Sequence, residues 1–230
     1  MEILVTKAII TAMKEEAEHI INRYSLTLKK EFNTLKIYEG TREVGGEKEL
    51  IVLALAGIGK IQASIATTYL FENYDIFKLI NVGIAGNLKS HDVQVGDVFI
   101  PNTFIQHDMY LPFDGAHLDY AKKAIFLDYA TDQNYDLQKF GLILNGICLT
   151  GDQFIDNPEK VLELEEEYAA DIIEMEAFAI LSVAREYNAL DKCVVIKAIS
   201  DGADNDAKDA HMGNLDFAMQ NSLVVLDIVL

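Results

Sequence analysis

Four short segments carry the side chains of this chain that could do chemistry. Ala12-Met13-Lys14-Glu15-Glu16, Glu174-Met175-Glu176 and Ala198-Ile199-Ser200-Asp201-Gly202 each set carboxylates beside an apolar run, and carboxylates can give or take a proton. Asn81-Val82-Gly83-Ile84-Ala85-Gly86 adds small residues that would let a flat ligand approach the main chain. Taken singly, each has an ordinary reading. Glu15 and Glu16 suit the first turn of any helix, because they face its positive end. Asp201-Gly202 is a common turn dipeptide. Glu174 and Glu176 are two apart and point in different directions on a strand or a helix, so at most one should face a given ligand. Phe154 and Ile155, after Gly151-Asp152, could be core.

Better-known motifs fail on spacing. Ala56-Gly57-Ile58-Gly59-Lys60 suggests a phosphate loop, but that motif needs glycine where this chain has Ala54 and a hydroxyl where it has Ile61. The third glycine of a dinucleotide fingerprint falls on Gln62. A tight strand-to-helix turn explains these glycines. The histidines are scattered and neither Cys148 nor Cys193 has a partner at ligand spacing, so no metal site is expected. Glu163 to Glu167 reads as the solvated face of a helix. No nucleophile elbow is present.

The elements that must position these residues alternate in type. Short β-branched runs predict strands at Lys7–Ala12, Leu35–Tyr38, Leu50–Leu55, Leu79–Val82, Val98–Ile105, Leu142–Leu149 and Cys193–Ile199. Apolar residues at helical spacing predict helices at Lys14–Arg23, Lys60–Asn73, Pro158–Tyr168, Met175–Tyr187 and Leu215–Val229. Asn157-Pro158 is a start signal, since Asn caps and Pro fits the first turn. Near-continuously apolar strands alternating with helices imply an α/β sheet covered on both faces. In such sheets ligands sit beyond the carboxyl ends of the strands, where the four segments fall. Only Asp108–Gln138 resists assignment and reads as a long loop.

Composition bounds the rest. The chain has 230 residues, with no linker or repeat, which predicts one domain over residues 1–230. Nineteen basic and thirty-seven acidic side chains disfavour nucleic acid and anionic membranes as partners. The longest apolar run, Leu50–Gly59, is ten residues, too short to span a bilayer. No basic, apolar leader opens the sequence, and two cysteines inside apolar runs suit buried reduced thiols, so a soluble cytoplasmic protein is expected.

Six pieces occur together and in order: Ala-Met-x-Glu-Glu, Gly-Ile-Gly-Lys, Gly-x-Ala-Gly, Gly-Asp-x-Phe-Ile, Glu-Met-Glu and Ile-Ser-Asp. The set, spanning about Lys7 to Phe217, resembles the 5′-methylthioadenosine/S-adenosylhomocysteine nucleosidases of the nucleoside phosphorylase superfamily. That resemblance implies a three-layer α/β fold with a central mixed sheet flanked by helices. It also implies hydrolysis of the bond between adenine and ribose, with no metal and no organic cofactor. The catalytic positions it matches are Asp201, the acid that protonates N7 of adenine, and Glu16, which polarises the attacking water. Glu176 matches the ligand of the ribose hydroxyls, Met175 the residue packed on the sugar, and Phe154 the ring stacked on adenine. The main chain of Ile155 matches the group reading the base edge, and Ser200 positions Asp201. Ala85 and Gly86 belong to the substrate-binding glycine segment. Met13, Ile58 and Phe217 match the lining of the apolar 5′-thio pocket, which in the family is completed across a homodimer interface; the matching segment here is around Met109, Tyr110 and Phe113.

Two positions depart from the family pattern. Ile84 stands where Ser or Thr is common, removing a polar contact near the acid. Lys197 stands where arginine is common, exchanging a rigid fork for a mobile point charge. A carboxylate at Glu16, and no arginine in the glycine segment, suit water and repel phosphate as the nucleophile. Two readings besides this hydrolase stay open at the level of sequence: a purine nucleoside phosphorylase or a hydrolase of another adenosyl nucleoside, and a nucleoside-binding protein without catalysis.

Overall fold

The computed structural model describes residues 4–88, 93–113, 115–129, 142–203 and 207–230. Among them run β1 (Val5–Thr11), α1 (Lys14–Tyr24), β2 (Thr27–Glu31), β3 (Lys36–Val44), β4 (Glu47–Leu55), α2 (Lys60–Asn73) and β5 (Ile76–Asn87). There follow β6 (Val98–Ile100), β7 (Thr103–Gln106), α3 (Asp119–Lys122), β8 (Ile125–Phe126), β9 (Leu142–Leu144) and β10 (Ile147–Thr150). The chain ends with α4 (Pro158–Tyr168), β11 (Ile172–Glu174), α5 (Ala177–Glu186), β12 (Cys193–Asp201) and α6 (Ala207–Val229). Part of the 108–138 segment, residues 114 and 130–138, lies outside the described residues.

One mixed sheet links the strands in the order β2-β3-β4-β1-β5-β11-β10-β7-β8, and β12 joins β5 to β6 and β9. Side chains on its central strands alternate between two apolar cores. Ala8, Ile10, Val52 and Ala54 face α2 and α5, packing with Ala63, Leu70, Leu181 and Ala184. Ile9, Ile51, Leu53 and Leu55 face the other way, packing with Ala17 and Ile20 of α1 and Leu215 and Met219 of α6. Both faces are buried, as the unbroken apolar runs require. The result is the predicted three-layer arrangement.

Differences from the sequence reading have local causes. Val98–Ile105 is two strands, not one, because Pro101 has no N–H to carry a ladder onward. Leu142–Leu149 is split at Asn145, whose φ of 65° bends the backbone away. β3 and β4 run longer than predicted and close through Gly45-Gly46, with φ values of 60° and 88°, a glycine pair suited to a tight hairpin. β2 carries no apolar periodicity because all five of its residues are exposed at the sheet edge. α6 begins eight residues before Leu215, at Ala207. The Asn157 cap is present, its Oδ1 accepting from Glu159 N at 2.8 Å, with Pro158 in the first turn. Both cysteines are free and buried, and burial pushes the Cys193 thiol up to about 12.

The sheet forks along β5, and this creates the site. β1 pairs with β5 only as far as Asn81, whereas β11 takes up β5 at Gly86 and Asn87. β12 follows β5 along Leu79 to Gly86. The strand ends of β1 and β11 therefore diverge over residues 82–85, where the edge of β5 away from β12 is left open and its backbone groups must find other partners.

Candidate active site

A cleft of about 610 Å³, its open mouth included, occupies this fork. β1 and α1 contribute Met13 and Glu16, the α2 turn contributes Ile58, and β5 contributes Ile84, Ala85 and Gly86. The loop after β10 adds Phe154 and Ile155, β11 leads in Met175 and Glu176, and β12 ends at Asp201.

Glu16 is buried and clamped by main-chain donors. Its Oε2 accepts from Ala12 N at 3.0 Å and Met13 N at 2.9 Å, closing the first turn of α1. Its Oε1 accepts from Ile84 N at 3.1 Å, a donor in the stretch of β5 that β1 and β11 leave open. The helix-capping reading and the functional reading thus describe the same side chain. Burial raises the pKa of Glu16, opposed by the Lys197 charge and these three N–H groups. The outcome is a fixed carboxylate with enhanced basicity. Gly83 makes this possible: a Cβ there would lie 2.7 Å from Glu16 Oε1.

Glu174 and Glu176 have separate tasks. Glu174 accepts from Thr150 Oγ1, from the N–H groups of Glu176 and Ala177 at the start of α5, and from Lys197 Nζ at 2.9 Å. Its acceptor capacity is spent within the protein. Glu176 accepts from Gly59 N at 2.9 Å through Oε1, and its Oε2 lies 3.9 Å from Lys197 Nζ. That leaves Oε2 the freer oxygen toward the cleft. Burial pushes the Glu176 carboxyl up to about 7, with the Lys197 charge opposing. Burial by itself would lower the pKa of Lys197, but Glu174, Glu176 and Glu16 outweigh it and the ammonium is held charged.

The same turn shows why the glycines near α2 do not bind phosphate. Gly57 and Gly59 have φ of 93° and 95°, as a sharp strand-to-helix turn demands. Gly59 N is taken by Glu176 and Lys60 N by Asp152 Oδ1 at 2.8 Å. Two carboxylates already fill the positions an anion would need.

Asp201 is aimed by a bulge. β12 and β5 stay in register until Ile199 pairs with Ala85, then shift so that Asp201 pairs with Gly86. Ser200 is the extra residue, and a bulge of this kind redirects the side chain that follows. Ser200 Oγ donates to Asp201 Oδ2 at 2.6 Å, and Ala203 N donates to Oδ1 at 2.9 Å. His211 of α6 also reaches the site, with Nδ1 3.4 Å from Asp201 Oδ2. Its ring meets Phe154 edge-on, with centroids 5.5 Å apart.

The sequence model of the phosphorylase superfamily matches residues 6–230. The chain belongs to that superfamily. Among relatives, the 5′-methylthioadenosine/S-adenosylhomocysteine nucleosidase of Buchnera aphidicola (subspecies Acyrthosiphon pisum, strain APS) is 30% identical over 96% of each chain. Aminodeoxyfutalosine nucleosidase of Helicobacter pylori strain J99 is 28% identical over 86% of each chain. The structure of the Neisseria meningitidis methylthioadenosine/S-adenosylhomocysteine nucleosidase with methylthio-immucillin-A superposes with a TM-score of 0.80 at 28% identity, over 98% of this chain and 99% of that one.

Set against the sequence expectations for a superfamily member, the cleft gathers Met13, Glu16, Ile58, Ala85, Gly86, Phe154, Ile155, Met175, Glu176 and Asp201. Ser200 and Lys197 stand behind it, each bonded to a carboxylate that lines it. Phe217 is not among the residues that line the cleft; it lies half exposed on α6, against the Gly96 turn. The glycine segment has a further role inside the protein. Gly83 and Gly86 make room for the Glu16 and Asp201 carboxylates, since a Cβ on Gly86 would lie 3.1 Å from Asp201 Oδ1. Two residues were missed. Glu174 was visible only as half of Glu-Met-Glu, and its role depends on Thr150 and Lys197 from other strands. His211 gave no signal, since a histidine ten residues beyond Asp201 matches no motif spacing.

Proposed function

We propose that this protein hydrolyses the N-glycosidic bond of 5′-methylthioadenosine and S-adenosylhomocysteine, releasing adenine and the 5′-thio-substituted ribose. The observation that carries this reading is the convergence of Glu16, Glu176 and Asp201 on one cleft with no arginine among the described residues that line it. Cleavage builds positive charge on the ribose and negative charge on the leaving base, so an acid is needed at adenine and an activated water on the opposite face of the sugar, as in inverting glycosidases. Asp201 gives its proton to N7 as the C1′–N9 bond breaks. Water adds to C1′ and passes a proton to Glu16. Glu176 holds the ribose hydroxyls, Met175 packs on the sugar, Phe154 stacks on the base, and the Ile155 main chain reads its edge. The Lys197 charge opposes the rise that burial imposes on Glu16 and Glu176, and carboxylates at this place repel a phosphate nucleophile.

The test is incubation with methylthioadenosine in phosphate-free buffer, with S-adenosylhomocysteine and aminodeoxyfutalosine alongside. Free adenine and methylthioribose are expected without phosphate. Adenine only after phosphate is added would make the protein a phosphorylase, and cleavage of aminodeoxyfutalosine alone would reassign the substrate.

The working form in this reading is a cytoplasmic homodimer. Among the described residues no helix is long and apolar enough to cross a membrane. Ile61, Met109, Tyr110 and Phe113 are exposed apolar side chains, and Ile61 and Met109 line a second recess next to Lys60 and Asp152. Such a patch on a soluble chain marks a contact surface. Sedimentation at micromolar concentration should give twice the chain mass, and a fully active monomer would overturn the dimer.

A further inference from the structure

Asp201 has two oxygens in different surroundings, and the difference assigns a task to His211. Oδ2 receives the Ser200 hydroxyl at 2.6 Å and faces His211 Nδ1 at 3.4 Å; the same Nδ1 is 3.3 Å from Ser200 Oγ. Among the described residues Oδ1 receives Ala203 N alone, and it lies against Gly86 on the floor of the cleft. Asn214 Nδ2 donates to Ser200 O at 2.9 Å, which ties this part of α6 to the end of β12.

We infer that His211 is a positioning residue for the acid: as the Nδ1–H tautomer it donates to Asp201 Oδ2, so that the transferable proton sits on Oδ1 and points into the cleft. An unprotonated Nδ1 would turn its lone pair toward a carboxylate oxygen, which the ionised acid disfavours. With Ser200 and His211 both donating, Oδ2 is the oxygen best able to hold the charge left when the proton departs. The edge-on contact between the imidazole and Phe154 sets this donor beside the ring on which the base stacks. Neither side chain reacts. His211 acts through Asp201.

This inference rests on the hydrolase reading, and its test separates the two. The variants are His211→Phe, which keeps a ring against Phe154 without a donor, and His211→Asn, whose amide can replace Nδ1–H. The substrates are methylthioadenosine, whose base must be protonated to leave, and a 4-nitrophenyl 5-methylthioriboside, whose leaving group departs as a stable anion. His211→Phe should lose about 10- to 100-fold in kcat on methylthioadenosine, with KM changed less than about threefold and the nitrophenyl substrate nearly unaffected. His211→Asn should recover most of the loss. Equal losses on both substrates, or none on methylthioadenosine, would overturn the role. A wild type that releases no adenine would instead overturn the functional reading, and that arm is read first.

Discussion

Asp201→Asn should lower kcat for adenine release by about 10²- to 10⁴-fold, the range set by loss of a general acid, while the protein stays folded. Asparagine has the shape of the acid but cannot deliver a carboxylic proton. The surroundings can accept it, provided His211 turns to the tautomer whose Nδ1 accepts. With its oxygen in the Oδ1 position it still receives Ala203 N. Its amide then faces Ser200 Oγ, which can accept and turn its own proton toward Ala85 O, 3.4 Å away. A melting temperature within a few degrees of wild type, alongside the kinetic loss, is the expected pair of results. A variant retaining more than a tenth of wild-type turnover would remove Asp201 from the role of acid.

Lys197→Met should cost about 3–5 kcal/mol at pH 8, the usual consequence of removing one side of a buried ionic group. Methionine fills much of the same space, so packing is a small part of the effect. Lys197 is 2% exposed and is the charge that opposes burial at both Glu16 and Glu176. Without it both carboxyls move further above the ordinary 4.5, and Glu176 above about 7. A folded state with raised carboxyl pKa values binds more protons than the unfolded chain between those limits, so its stability falls as pH rises through that window. The deficit of the variant should therefore be smallest near pH 5 and largest near pH 8. Urea unfolding at both values measures it. A loss that is equal at the two pH values would mean that the lysine contributes packing, not charge.

Lys197 also explains a departure from the family pattern. Arginine would bring a planar fork with five donors, whereas lysine presents three on one atom. The ammonium here sits at 2.9 Å from Glu174 and 3.9 Å from Glu176, with the Gly83 backbone close by. A point charge suffices because Glu174 is already oriented by Thr150 and the start of α5. The second departure, Ile84, is buried beside Glu16's clamp and turns its backbone, not its side chain, to that carboxylate.

Much of this protein was determined by local sequence. Two-sided apolar strands, helices at 3.6-residue spacing and the Asn157 cap depend on near neighbours, and these elements stand close to where the pattern put them, the splits at Pro101 and Asn145, the longer β3 and β4 and the early start of α6 apart. The strand-end carboxylates were legible for the same reason: a polar residue abruptly ending an apolar run is a one-dimensional signal. What the tertiary structure alone decided involves residues far apart in the chain. The split of β1 and β11 from β5 opens the cleft and frees the Ile84 donor that Glu16 takes. Glu174, rather than Glu176, became the structural member of its pair because Thr150 and Lys197 meet it from β10 and β12. His211 reached the cleft because α6 starts early and takes residues 207–214 into the helix. Periodicity shows which face of an element is apolar. The partner opposite a buried polar atom is chosen by sheet register, bulges and helix phase, and these follow from packing the whole chain.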